Sequence, residues 1–392
     1  MPLLPYKYIK EKTSLPKITP WELAEKLSRY GLETEVVEYE NSLYLKFSPF
    51  PNRPDLFSGW GIIQEIGVIF DCQTIKPIGS FSIQSHQNKE IKIPKREKIE
   101  VPNDYLIVKV NREKPVKVAI ITPDCHEFCL GLIKNIEIKE SPIWIKEWLE
   151  INNIRSINNV VDIANLVMLE TGQPIHIFDY DVLPERKIVV GQVQQGKKIE
   201  TIQGQKLVLN SEDIVVSSGE KIIDLAGIIG TKEFSLNSQS KNILIECAYF
   251  NPKTIQKTAK RLNISTIASQ FFCRKGSLFL PLKQVLQRVI PLIIETYQGD
   301  LNSGTIFSYQ EAKKIPLVIS ISKEFITKKI GQDLTVTVIE NIWQQLKFFY
   351  QRKESVYYVT VPLSRSDITI AEDLLEEFLR VYDYNKVVGF LP

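Results

Sequence analysis

The stretch NNVVDIANLVMLETGQPIHIFD, residues 158–179, sets Asn165 and His176 among apolar neighbours. His176 is one of three histidines in the chain and stands between Pro174-Ile175 and Ile177-Phe178. Buried polar groups need partners, so such residues either satisfy one another in a core or face a ligand. Two further segments extend the pattern. In NILIECAYF (242–250) Glu246 lies between Ile245 and Cys247 in a strand-like run, where an unpaired carboxylate is costly to bury. In LAGIIGT (225–231), an apolar turn, Gly227 and Gly230 would let backbone approach a ligand closely. From the residues alone, a satisfied core and a ligand pocket both stay open.

Around this stretch the chain has globular character. Its 392 residues predict two to three domains, and 44% hydrophobic residues supply ample core. The 49 lysines and arginines against 46 acids leave a net charge of +3, too mild to argue for nucleic-acid binding by itself. Five cysteines without a regular framework point to a reducing compartment. The run CHEFC (125–129) invites a zinc reading, but no second Cys/His pair lies at ligand spacing, so small buried thiols are expected. No apolar run reaches the ~18 residues of a membrane span, and the N-terminus turns polar too soon for a signal peptide. A soluble, intracellular protein without membrane association is expected.

Coarse organisation follows from local signals. Thr19-Pro20 predicts a helix start, with Leu23, Leu27 and Tyr30 on its apolar face over 19–31. In NSLYLKFS (41–48) the alternation of Leu43, Leu45 and Phe47 predicts a strand. A helix follows with Ile62, Ile66, Ile69 and Phe70 at helical spacing. Residues 1–81 thus read as a small α+β unit and 82–115 as a polar, lysine-rich linker. Residues 116–310 form a larger mixed α/β block, with a helix at SPIWIKEWLEIN and strands at KIVVGQV, DIVVSS and NILIECAYF. Residues 315–392 run strand, helix, strand and acidic helix. The fold class expected is multidomain α+β.

The acidic helix carries a second constellation. In SRSDITIAEDLLEEFLRVYDYNKV (364–387), Asp373, Glu376 and Glu377 share one helical face, and Asp367 can fold back toward them. Four carboxylates suit a hard cation such as Mg²⁺. A solvated acidic helix start, favoured by the macrodipole, explains the spacing equally well.

With these segments in view, the chain resembles the β subunit of bacterial-type phenylalanyl-tRNA synthetase over nearly its whole length. PNRPDLFSGWGIIQEIG (51–67) is similar to that family's N-terminal segment, 158–179 to its editing-domain signature, and 364–387 to its C-terminal acidic block. The resemblance implies an editing-type domain at 116–310 and a small winged-helix-like domain at 315–392. It further implies a pocket that hydrolyses tyrosine wrongly esterified to tRNA(Phe). Glu246 would read the tyrosine hydroxyl, and Asn165, His176, Ala226, Gly227 and Ala268 would stand near the aminoacyl group. Asp367, Asp373, Glu376 and Glu377 match the family's magnesium carboxylates. Implied partners are an α subunit, in a heterotetramer of two α and two β, and tRNA(Phe). ATP would be a substrate of the assembled ligase, and the setting would be cytoplasm, or an organelle interior if organelle-encoded.

Departures accompany the match. Ala164 stands where the family has threonine, Thr231 where it has a second glycine, and IASQFFCRKG (267–276) replaces EASYRFERG. An oligonucleotide-binding insert and the C-terminal half of the family are not found. A ligase subunit with an editing pocket, a non-enzymatic subunit whose pocket has decayed, and a freestanding tRNA-deacylating protein are the three readings that follow.

Overall fold

In the computed structural model the described residues are 2–76, 116–273, 280–297, 304–310, 315–382 and 387. The expected linker, 82–115, lies outside them. The helix Pro20–Arg29 begins where Thr19-Pro20 predicts. The Thr19 hydroxyl accepts from the Glu22 N–H, while the Glu22 carboxylate accepts the Thr19 N–H at 2.8 Å, which closes a capping box. Leu23 and Leu27 then face inward above an antiparallel sheet of Leu3–Pro5, Ser42–Ser48 and Glu33–Tyr39. Leu45 and Phe47 are buried as their alternation requires. Tyr44 is buried on the opposite face, with its ring edge-on to Tyr39.

Two sheets make the middle of the molecule. One is antiparallel, in the order Thr305–Gln310, Cys125–Ile133, Ile243–Phe250, Ile175–Asp179. The other runs Ile229–Gly230, Lys221–Leu225, Ile214–Ser218, Lys187–Gln192, Lys117–Ile120, its last pair parallel. Side chains alternate across a strand, and this sorts Ile243–Phe250 cleanly. Leu244, Ala248 and Phe250 enter the core between the sheets, together with Phe128, Phe178, Val190 and Val216. Ile243, Ile245 and Cys247 enter a second core with the helices Asn159–Thr171 and Leu282–Tyr297. Parity therefore puts Glu246 in the layer between the sheets.

That second core runs across the boundary expected between the first unit and the middle block. Leu4, Ile9, Leu23, Phe47 and Ile62 belong to the same apolar cluster as Ile163, Val167, Val285 and Val289. The Trp148 indole donates to the Leu3 carbonyl, and Asn152 both donates to that carbonyl and accepts the Leu3 N–H, each at 3.0 Å. Residues 1–81 are a sequence unit, but a sheet with one apolar face must cover it, and the helices of the middle block do so.

The C-terminal block holds more elements than its sequence suggests. Strand Val318–Ser322 is followed by helices Lys323–Ile330 and Val336–Gln345, then a hairpin of Phe349–Lys353 and Val356–Thr360, then helix Ala371–Tyr382. The strand Phe349–Lys353 escapes pattern reading because Gln351, Arg352 and Lys353 are polar on both faces. It is an edge strand, so it buries little. Two helices followed by a hairpin fit the winged-helix-like order expected. Among the described residues no helix is long and apolar enough to cross a membrane.

Candidate functional site

His176 and Glu246 sit directly opposite each other on neighbouring antiparallel strands. Directly opposite residues on one face are close neighbours. A narrow cleft between the two sheets is lined by both, by Gly227, Ala268 and Phe272, and by Asp224 from the facing sheet. Backbone makes room for the imidazole. A Cβ at Gly230 would stand 2.3 Å from His176 Cε1, which no real contact tolerates. Gly227 adopts φ +67°, the left-handed region, so that the 225–231 turn can fold back.

Glu246 is 3% exposed, and its Oε2 has no hydrogen-bond partner. Burial pushes its carboxyl well above the usual range, and the nearby Asp224 carboxylate pushes it further. Asp224, 2% exposed, is also raised by burial. Opposing this, the His176 side chain and the Gly227 N–H favour its charged form. Sequence reasoning passed over Asp224. The signal was present, since an aspartate between Ile223 and Leu225 poses the same question as Glu246.

Two expected pocket residues lie elsewhere. Asn165 is half-buried on the helix Asn159–Thr171 and does not line the cleft. That helix buries Ile163, Ala164, Leu166 and Val167 in the core on the far side of the sheet. Ala226 is buried in the core beside the cleft rather than on its wall. The departures have local roles. Ala164 fills core, and the Thr231 hydroxyl donates to the Ile222 and Ile223 carbonyls, pinning the turn. Residues 274–276 of the altered run lie outside the described residues. The free space is about 40 Å³. A cavity of about 150 Å³ takes benzene, so an aromatic side chain requires the cleft to widen.

Burying two acids has an energetic consequence. A carboxyl whose folded-state value is raised keeps its proton to higher pH than in the unfolded chain, so stability falls as pH rises through that window. Glu246→Gln removes this penalty at one site. The expected result is a higher melting temperature at neutral pH, with the gain vanishing in acid. A variant less stable than wild type at neutral pH would contradict it.

The second constellation also converges. Asp367, Asp373, Glu376 and Glu377 all line one cleft, together with Arg53, Glu65 and Arg380. Three of the four, however, are engaged. Arg365 grips Asp367 with Nε at 3.0 Å and Nη2 at 2.7 Å, and donates to Glu377 at 2.8 Å. Arg380 donates to Glu377 at 2.7 Å and also pairs with Glu65. Arg53 holds Asp55 through two bonds and Glu65 at 2.9 Å. Asp373 accepts the Thr369 and Ile370 N–H groups at 2.7 and 3.0 Å, closing the helix start. Glu376 is exposed. Among the described residues no group of three or more His, Cys, Asp or Glu side chains is arranged to hold a metal ion. As arranged, Asp367 and Glu377 answer to arginines, whose planar forks match carboxylates in pairs, while Asp373 serves the helix start.

Comparison with known proteins agrees with this architecture. A B3/4 domain matches residues 124–298 and a tRNA synthetase B5 domain residues 319–384. The phenylalanine--tRNA ligase beta subunit of Streptococcus pyogenes is 31% identical over 348 residues, covering 89% of this chain and 40% of that protein. The subunit from Staphylococcus haemolyticus is 33% identical over 362 residues, covering 92% and 42%. The chain thus spans about two fifths of the length of these relatives. A solved N-terminal fragment of the phenylalanyl-tRNA synthetase beta subunit from Pyrococcus horikoshii aligns at TM-score 0.47 and 15% identity, over 94% of this chain and 95% of the fragment. By sequence and domain content, this is a beta-subunit-type chain of the phenylalanine--tRNA ligase family, matching the part of those subunits that carries the B3/4 and B5 domains.

Proposed function

We propose that the cleft between the two sheets hydrolyses tyrosine misattached to tRNA(Phe), and that the chain serves a ligase that charges tRNA(Phe) with phenylalanine. The observation that carries the reading is Glu246, a buried carboxyl with an unsatisfied oxygen beside His176 on one wall of the cleft. A site built to meet a hydroxyl rejects the analogue lacking it far more sharply than an apolar pocket can. Tyrosine and phenylalanine differ by that group alone.

In the reaction, water oxygen bonds to the ester carbonyl carbon and the ester C–O bond breaks. Tyrosine leaves as its carboxylate, and the terminal ribose hydroxyl of the tRNA is restored. Glu246 meets the phenol, and His176, on the neighbouring strand, takes the water proton. Gly227 and Gly230 admit the substrate by leaving backbone uncovered.

The partners in this proposal are an α subunit, paired two and two with this chain, and tRNA(Phe), in cytoplasm or an organelle interior. Activation of phenylalanine with ATP belongs to the α subunit. Magnesium enters with that ATP. No step here is routed through the four C-terminal carboxylates, because arginines hold Asp367 and Glu377 and the helix start holds Asp373.

The test is release of tyrosine from Tyr-tRNA(Phe) by this chain, alone and with an α subunit, beside Phe-tRNA(Phe). Faster release of tyrosine is expected. Equal, background-level release of both in each arrangement would leave a non-enzymatic subunit in its place.

A further inference from the structure

We infer that Asp224 and Glu246 work as one carboxyl pair across the cleft, with Asp224 a positioning residue that keeps Glu246 a neutral acid for reading a substrate hydroxyl. This rests on the function proposed above and adds to it a residue from the opposite sheet. The geometry begins with the two sheets. Glu246 comes from strand Ile243–Phe250 and Asp224 from strand Lys221–Leu225, and each side chain lines the same narrow space.

The surroundings of the pair are unequal. Asp224 receives the Gly227 N–H and lies near His176. Glu246 has a buried oxygen with no partner at all. The other groups facing Glu246 do not compensate it. Strand Cys125–Ile133 brings the Cys125 thiol, which burial and Glu246 itself hold protonated. Strand Ile175–Asp179 brings His176, and helix Ile267–Cys273 contributes only Ala268 and Phe272 to the wall. Two acids in one dry cleft do not both ionise, and their protons are held by the pair as a unit. The proton rests on the member with no donor of its own, Glu246. The charge rests on Asp224, where a backbone N–H and the imidazole meet it.

This changes how the hydroxyl is read. A neutral carboxyl both donates and accepts, whereas a carboxylate only accepts. A phenol also donates and accepts, so the neutral acid satisfies both of its functions. Asp224 thereby tunes specificity without touching the substrate.

The experiment is infrared titration of the full chain, following the stretching band of protonated carboxyl groups. Wild type should show a buried carboxyl band at neutral pH that Glu246→Gln abolishes. In Asp224→Asn the same band should persist but vanish at lower pH, because the neighbouring charge is gone. An unchanged midpoint in Asp224→Asn, or a neutral-pH band that survives Glu246→Gln, would overturn the inference. A parallel pH profile of tyrosine release should show the Tyr-over-Phe preference failing at lower pH in Asp224→Asn than in wild type. Absence of release in every variant would sink the proposed reaction while the infrared result still decides the pair.

Discussion

Replacing Glu246 by alanine is expected to collapse the preference for Tyr-tRNA(Phe) over Phe-tRNA(Phe) by about 5- to 150-fold, the equivalent of about 1–3 kcal/mol for leaving a buried hydroxyl unpaired. The cause is local. Once the carboxyl is removed, the cleft loses the one lining side chain with a buried oxygen that has no partner. His176→Ala should act differently. It removes the group placed to take the water proton, so tyrosine release should slow by about 100-fold or more while the preference changes little. Single-turnover release from both aminoacyl-tRNAs separates the two effects. Rates unchanged in both variants would return His176 and Glu246 to the role of core residues.

The largest stability effect should come from Arg53→Met. Arg53 is buried and holds Asp55 and Glu65 in the N-terminal unit while approaching Glu377 at 3.7 Å in the C-terminal helix. Breaking a buried pair by removing one partner costs about 3–5 kcal/mol, because the remaining charges stay in place uncompensated. The exposed pair Arg29–Glu25 is the control, and Arg29→Met should cost no more than about 1 kcal/mol. Urea unfolding measures both. Equal midpoints for the two variants would show the buried network to be dispensable.

The network also fixes the direction of acid sensitivity. Burial alone would raise Glu377, but Arg380, Arg365 and Arg53 overcome it and hold the carboxyl well below the usual range. Glu65 is likewise depressed, Arg380 and Arg53 outweighing its burial. Depressed carboxyls contribute fully above their unfolded values near about 4.3 and lose that contribution as pH falls through the folded values. Arg53→Met should therefore flatten the acid limb of the stability curve. Millimolar Mg²⁺ should leave the wild-type melting temperature unmoved, since arginines already neutralise Asp367 and Glu377.

Legibility in the sequence followed the range of each cause. The helix at Pro20 was readable because a capping box is decided within four residues. The strand of Glu246 was readable because parity is local too. Whether Glu246 faced a partner was not, since Asp224 reaches it from another sheet. The residues themselves brought His176, Gly227 and Glu246 to notice, the resemblance added Ala268, and the structure gathers these four at one cleft. Asn165 does not line it, because its helix is oriented by the apolar residues beside it. The four C-terminal carboxylates were readable as a cluster. Two of their arginine partners, Arg365 and Arg380, stand in the same stretch and were passed over, whereas Arg53 lies more than three hundred positions away from Glu377.

The core shared by the two ends of the chain has a temporal side. Leu4, Ile9 and Phe47 share one apolar cluster with Val285 and Val289, which leave the ribosome far later. At synthesis rates of about 5–20 residues per second, the intervening roughly 220 residues take on the order of 10–45 s. Until then the cluster holds only its earlier members, among them Trp148, Leu149, Ile163 and Val167. A nascent chain stalled before helix Leu282–Tyr297 should therefore be a good client for chaperones that bind exposed apolar surface. One stalled after that helix has emerged should be released.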